Sequence, residues 1–134
     1  MKKVFLFMSF AVAIAACNES LEERAEREAR EYTERYCPTP VVNNSRTDSV
    51  AFEKATKTYT YYCTLTGAYD NQAFISEYGQ ELDQRLAKTI SEDTSIEKLK
   101  AAGFRFRFII HSEKEPSLLL YDKTITADDY LRMP

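Results

Sequence analysis

Tryptophan is absent from this sequence, histidine occurs once, and cysteine and glycine occur three times each in 134 residues. The lone histidine, His111, has no second imidazole with which to share a metal or relay a proton, so it offers at most a single base. No serine or cysteine stands in a glycine-framed elbow or at a helix start where it would be activated as a nucleophile. A metal centre would need Cys37, Cys63 and His111 to converge, and their spacing matches no ligand pattern. No metal and no other cofactor is expected. Adjacent carboxylates such as Glu92-Asp93 and Asp128-Asp129 fall where helix caps and loops explain them without acid–base work. Long apolar runs are missing too. The longest, at the start of the chain, has about 13 residues and covers roughly two thirds of a 30 Å hydrocarbon core, too short to span it. With no catalytic set in view, the chain is not expected to be an enzyme.

What is present begins with that short run. Lys2 and Lys3 precede an apolar stretch from Val4 to Ala13 broken only by Ser9, and Ala15-Ala16 supply the small residues that a signal peptidase needs before its cut. Ile14-Ala15-Ala16-Cys17 then resembles the lipobox of bacterial lipoproteins at all four positions. That resemblance implies a signal peptide over residues 1–16, a diacylglyceryl thioether on the Cys17 sulfur, and a fatty acid such as palmitate on the amino terminus that cleavage exposes. Each buried methylene is worth about 0.8 kcal/mol, so two or three acyl chains make a durable anchor where one is marginal. The membrane is thus an expected partner, through lipid on Cys17, and the bacterial cell envelope the expected location. Asn18, rather than Asp, favours the outer membrane over the inner by enteric-type sorting.

Removing residues 1–16 leaves 118 residues, with 16 basic against 21 acidic and a net charge of −5, because the removed part holds Lys2 and Lys3 and no acid. That length suits one domain. The charge gives no electrostatic reason to seek nucleic acid or anionic headgroups. Nine tyrosines and eight phenylalanines supply one modest core.

A strongly charged helix is predicted over Glu19–Tyr36. Ser20 with Glu23 makes a capping box, in which each side chain satisfies an open backbone amide. Glu23 with Arg27, Glu26 with Arg30 and Glu31 with Arg35 are i,i+4 pairs worth a few tenths of a kcal/mol each. Leu21, Ala25, Ala29, Tyr32 and Tyr36 form a narrow apolar stripe. Because alanine buries little area, the segment from Tyr32 onward is expected to dock on the body and the earlier turns to form a stiff solvated stalk. Cys37-Pro38-Thr39-Pro40 ends the helix.

Strands are predicted over Arg46–Phe52, with Val50 and Phe52 inward, and over Thr58–Thr66, with Tyr59, Tyr61, Cys63 and Leu65 toward the core and the threonines toward solvent. Asp70 or Asn71 caps a second helix running to Thr89, whose Phe74, Ile75, Tyr78, Leu82, Leu86 and Ile90 face the sheet. Ser91–Thr94 interrupts it, Ser95 caps a short helix with Ile96 and Leu99, and Gly103 stops that. Phe104–His111 alternates with Phe104, Phe106, Phe108 and Ile110 inward. After a turn at Pro116, Leu118–Thr126 is the last strand, with Leu119, Tyr121 and Lys123 opposed to Leu118, Leu120 and Asp122, and Thr126 with Asp129 caps a final turn over Ala127–Leu131. The order is α-β-β-α-(short α)-β-β. Two hairpins imply a four-stranded antiparallel sheet in a two-layer α+β domain. The expected organisation is a signal peptide over 1–16, a lipid-anchored charged helix over 17–37 and the α+β domain over 38–134.

Asp48-Ser49-Val50 and Tyr59-Thr60-Tyr61, following a charged helix that ends at Cys37-Pro38, resemble features of small uncharacterised bacterial envelope proteins. The resemblance implies the same helix, hairpin, helix, hairpin plan and no particular activity. Gly103-Phe104-Arg105-Phe106-Arg107-Phe108 is similar to the aromatic and basic strand with which RNA-recognition domains stack bases. Its phenylalanines are the inward face of an amphipathic strand, however, and an exported acidic protein meets no RNA, so no nucleic-acid partner is expected. Arg105, Arg107 and His111 remain as a basic stripe on a face that also carries Tyr62. If the strand from Phe104 sits beside that from Thr58, this is a candidate binding face, against the plain alternative of a wetted sheet. An exported location also permits a Cys37–Cys63 disulfide, closing about 26 residues for roughly 3 kcal/mol, or two buried thiols. The reading that results is a lipid-anchored envelope protein acting as a binding or assembly-accessory module with an envelope protein partner. An envelope-protective inhibitor or immunity protein is the alternative, and a hydrolase a third.

Overall fold

The computed structural model describes residues 19–133. The signal peptide expected over 1–16 and the lipidation site expected at Cys17 lie outside the described residues. Helix α1 (Leu21–Tyr36) starts where Ser20 accepts a hydrogen bond from the Glu23 amide at 3.0 Å. Strands β1 (Ser45–Glu53) and β2 (Thr58–Leu65) form a hairpin. Helix α2 (Gln72–Glu92) is capped by Asn71, whose side-chain oxygen accepts from the Phe74 amide at 2.7 Å. A 3-10 turn (Thr94–Ile96) leads into the short α3 (Glu97–Ala101). Strands β3 (Arg105–Ser112) and β4 (Leu119–Ile125) form the second hairpin, and α4 (Ala127–Leu131) begins at a reciprocal Thr126–Asp129 capping box.

The domain is α+β in two layers, with helices on one face of a four-stranded sheet of order β1-β2-β3-β4. The sheet is mixed rather than antiparallel. Strands β2 and β3 run parallel, with Thr58 opposite Arg105 and Leu65 opposite Ser112. Each hairpin does pair antiparallel, but the link between them is a helical crossover through α2 and α3. It returns the chain to the end at which β2 began, and that geometry yields parallel neighbours.

The core lies between the helices and the sheet. Phe104 and Phe106 are fully buried among Val50, Phe52 and Ile125, and the Phe52 and Phe104 rings stack at 5.0 Å. The inward alternation expected on β1 and β3 is therefore present. On β4 it breaks: a bulge sets Leu119 opposite His111 while Tyr121 stays opposite Ile110, so Leu120 and Tyr121 are both buried and Leu119 turns outward. Helix α2 continues through Ser91 and Glu92, and the next turn is capped by Asp93, which accepts from the Ser95 amide at 2.9 Å, not by Ser95.

Helix α1 reverses the expected docking. Ala25 and Ala29 are 2% and 1% exposed, whereas Tyr32 and Tyr36 are 41% and 57% exposed. There is no solvated stalk at its start. Alanine has no bulk to hold the helix off the sheet, so α1 comes close enough for Thr33 to bond the edge strand. The Thr33 hydroxyl accepts from the Val50 amide at 2.8 Å and donates to the Val50 carbonyl at 2.9 Å. Farther along, Thr39 donates its amide to the Thr47 carbonyl and accepts from the Thr47 amide through Oγ1, both at 2.9 Å. Docking also redirects the charges. Glu22 and Glu26 face Lys57 and Lys54 of the β1–β2 turn at 4.0 and 3.9 Å, and Arg27 bridges Glu19 and Glu31.

Candidate functional site

The sheet face away from the helices carries the residues expected as a binding stripe. Parallel pairing of β2 with β3 sets Tyr62 opposite Ile109, Thr60 opposite Arg107 and Thr64 opposite His111. The stripe is less basic than its residue types suggest. Asp122 on β4 takes Arg107 in a bidentate pair at 2.9 and 2.6 Å, and Arg107 holds the Asp122 carboxyl below the usual carboxylate range. Arg46 is likewise engaged by Asp48 at 2.8 Å and by Glu113 at 3.2 Å. Arg105 is exposed, Tyr62 is exposed, and the buried Nδ1 of His111 has no hydrogen-bond partner among the described residues.

A second feature lies on the helix side. Along β2 the burial runs opposite to the side-chain alternation. Thr58, Thr60 and Thr64, which face away from the helices, are buried, while Tyr59, Tyr61 and Cys63, which face them, are only half-buried. The threonines are short and lie beneath longer neighbours across the strands. The tyrosines stand in a gap, because α1 packs on β1 and α2 on β4, at opposite edges of the sheet.

The gap is a cleft with Tyr59 and Tyr61 as its floor, Leu21, Ala25 and Glu28 of α1 on one wall, and Ile96 and Leu99 on the other. Tyr59 meets Tyr61 at 5.4 Å and Tyr61 stacks on Phe108 at 4.9 Å, while the Tyr32 and Tyr36 rings, 5.2 Å apart, lie farther along α1. Burial, then the Glu28 carboxylate and Tyr32, pushes the Tyr59 phenol up to about 12. Tyr61 is raised as well, by burial first and then by Tyr59, Asp93 and Tyr32. Both phenols therefore stay protonated at neutral pH, offering an O–H donor and a flat apolar face rather than a base.

Tyr59 and Tyr61 pack against the core cluster, on the face that the alternation predicts, but they are only half-buried, and the cleft above them was not foreseen. The available signal was the Ala25, Ala29 pair: a small-residue stripe brings a helix close at one edge and leaves the adjacent strand uncovered. On α2 the apolar face is also only partly used. Ala87 and Ile90 are buried, but Phe74 and Tyr78 continue an aromatic ladder from Tyr69, in the 3-10 turn before the helix, at 4.5 and 5.1 Å, and the ends of the ladder are exposed.

Cys37 ends α1 and Cys63 lies on the helix side of β2; both are unbonded thiols. Thr47 lies beside Cys63, its Oγ1 at 4.0 Å from the sulfur. Burial pushes each thiol up, with Asp48 adding to the rise. Among the described residues no cluster of three or more His, Cys, Asp or Glu side chains is arranged to hold a metal, and no helix is long and apolar enough to cross a membrane.

A family model described as Domain of unknown function (DUF8479) matches residues 20–121, and the chain belongs to that family. Curated proteins yielded no match. The fold is similar to a Pseudomonas aeruginosa protein described as secreted, at 12% identity with TM-score 0.68, covering 82% of this chain and 92% of that one. It is also similar to the pilotin EpsS of the Vibrio vulnificus type 2 secretion system, at 18% identity with TM-score 0.63, covering 85% and 93%. The type II secretion system pilotin AspS of Vibrio cholerae matches at 14% identity with TM-score 0.59, covering 87% and 98%.

Proposed function

We propose that this family member is a lipid-anchored, non-catalytic accessory of an envelope assembly, and that it holds an apolar segment of an envelope protein partner in the cleft floored by Tyr59 and Tyr61. The observation that carries the reading is the half-buried aromatic floor on the side of the sheet that should be the driest. Half-buried aromatic faces that keep their O–H donors are what a protein anchor residue packs against. Two solved structures that share the fold are pilotins of type II secretion systems, and an accessory role of that kind fits a cleft in which the Glu28 carboxylate is taken up by Arg24 at 2.8 Å. In this reading residues 1–16 are removed, Cys17 carries the acyl chains, and the outer membrane is the site of action.

The test is photocrosslinking in the producing bacterium, with the reactive residue at Tyr32 on the cleft rim or at Tyr62 on the opposite face. A defined envelope protein joined at Tyr32 and lost on Tyr61→Ala, with the variant still folded by circular dichroism, supports the cleft. Adducts at Tyr62 instead, unaffected by Tyr61→Ala, would move the site to the open sheet with Arg105, Arg107 and His111. Deletion that sensitises cells to competing strains or host enzymes without disturbing any envelope assembly would favour the inhibitor or immunity reading.

A further inference from the structure

The docking of α1 sets which end of the domain meets the membrane. Only four residue steps separate Cys17 from Leu21, the first residue of α1, and that length of chain reaches at most about 14 Å. Leu21 does not project from the body. It packs on the core cluster and lines the cleft beside Ile96 and Leu99. Several features gather at this same end. Lys57 of the β1–β2 turn faces Glu22, and its carbonyl accepts the Arg105 amide at 2.9 Å where β3 begins. The Tyr130 hydroxyl of α4 donates to the Lys100 and Phe104 carbonyls at 3.1 Å. Next to Tyr130, Leu131 is 72% exposed. The opposite end, with the turn at 113–118, lies a strand length away, about 25 Å for eight residues.

We infer that the end formed by the 54–57 turn, the 94–104 segment and α4 rests on the lipid surface, with Leu131 entering it, while the 113–118 turn points away from the membrane. The inference rests on the reading of Cys17 as acylated. The tether supplies the attraction, by holding this end at high local concentration over the bilayer. The charges do not, since Glu19, Glu22, Glu23, Asp128 and Asp129 offset the lysines there. The cleft mouth at Leu21 then lies close to the headgroups, so the segment it takes belongs to a partner at the membrane surface.

The experiment uses the acylated full-length product reconstituted in phosphatidylcholine vesicles, with a fluorescent amino acid at Ala55 or at Ser117, both exposed, and an acceptor on the lipid headgroups. Transfer stronger at Ala55 than at Ser117, with the difference lost when a flexible Gly-Ser linker is inserted after Asn18, supports the orientation. Equal transfer at both positions without the linker, or stronger transfer at Ser117, overturns it while leaving the anchor intact. Intact mass read on the same sample separates the two ideas: no acyl group on Cys17 means that the anchor itself is wrong, and this orientation with it.

Discussion

Thr33 shows how one side chain can govern a strand. Its hydroxyl serves both polar groups of Val50 on the edge of β1, groups that are costly to leave without a partner beneath a docked helix. Thr33→Val keeps the shape and removes both bonds, and the expected loss is about 1–3 kcal/mol, read from denaturant midpoints at unchanged m-value. A midpoint equal to that of the wild type would mean that water replaces the hydroxyl there. Neither cap nor spacing announced this role. A threonine at the seventeenth place before its partner in the chain reads, in sequence, as an ordinary helix-surface residue.

At the level of elements, α1 is held by absence of bulk. Ala29→Leu puts a side chain where the helix touches the sheet, and it should cost about 1–3 kcal/mol through overpacking; thermal melting of the purified domain reads it, and an unchanged Tm would mean that α1 sits farther from β1. The same insertion also lifts Thr33 away from Val50, so the two substitutions are expected to be less than additive. This helix marks where sequence reasoning stopped. Strands β1 and β3 were legible because Val50 and Phe52, and Phe104, Phe106 and Ile110, recur at every second position or its multiple, and α2 was legible from Asn71 and its apolar repeat. The parallel pairing of β2 with β3 was not, because alternation marks a face and carries no direction. Nor was the cleft, since it depends on where α1 and α2 stop across the sheet, a distance that no local pattern encodes. Of the stripe Tyr62, Arg105, Arg107 and His111, the shared face was readable, but the capture of Arg107 by Asp122 required knowing that β4 lies beside β3.

For the whole molecule, acid is the revealing perturbation. Arg107 holds the Asp122 carboxyl down, and the Thr126 amide and hydroxyl hold the Asp129 carboxyl down. A carboxyl lowered in the folded state contributes stability above its unfolded value and loses that contribution as pH falls through the folded one. Stability should therefore be level near neutral pH and decline below about pH 4, with Asp129→Asn shallower in that decline and less stable at pH 7, as urea titrations across pH would read. An equal decline in the variant would exclude the cap as a contributor. The two sheet margins, finally, are unlike. Thr33 and Thr39 close the outer side of β1, whereas β4 has no strand beyond it among the described residues. Two copies that joined sheet to sheet through β4 would do so around a two-fold axis, which leaves no free margin to continue from. Two copies joined in this way pair without polymerising.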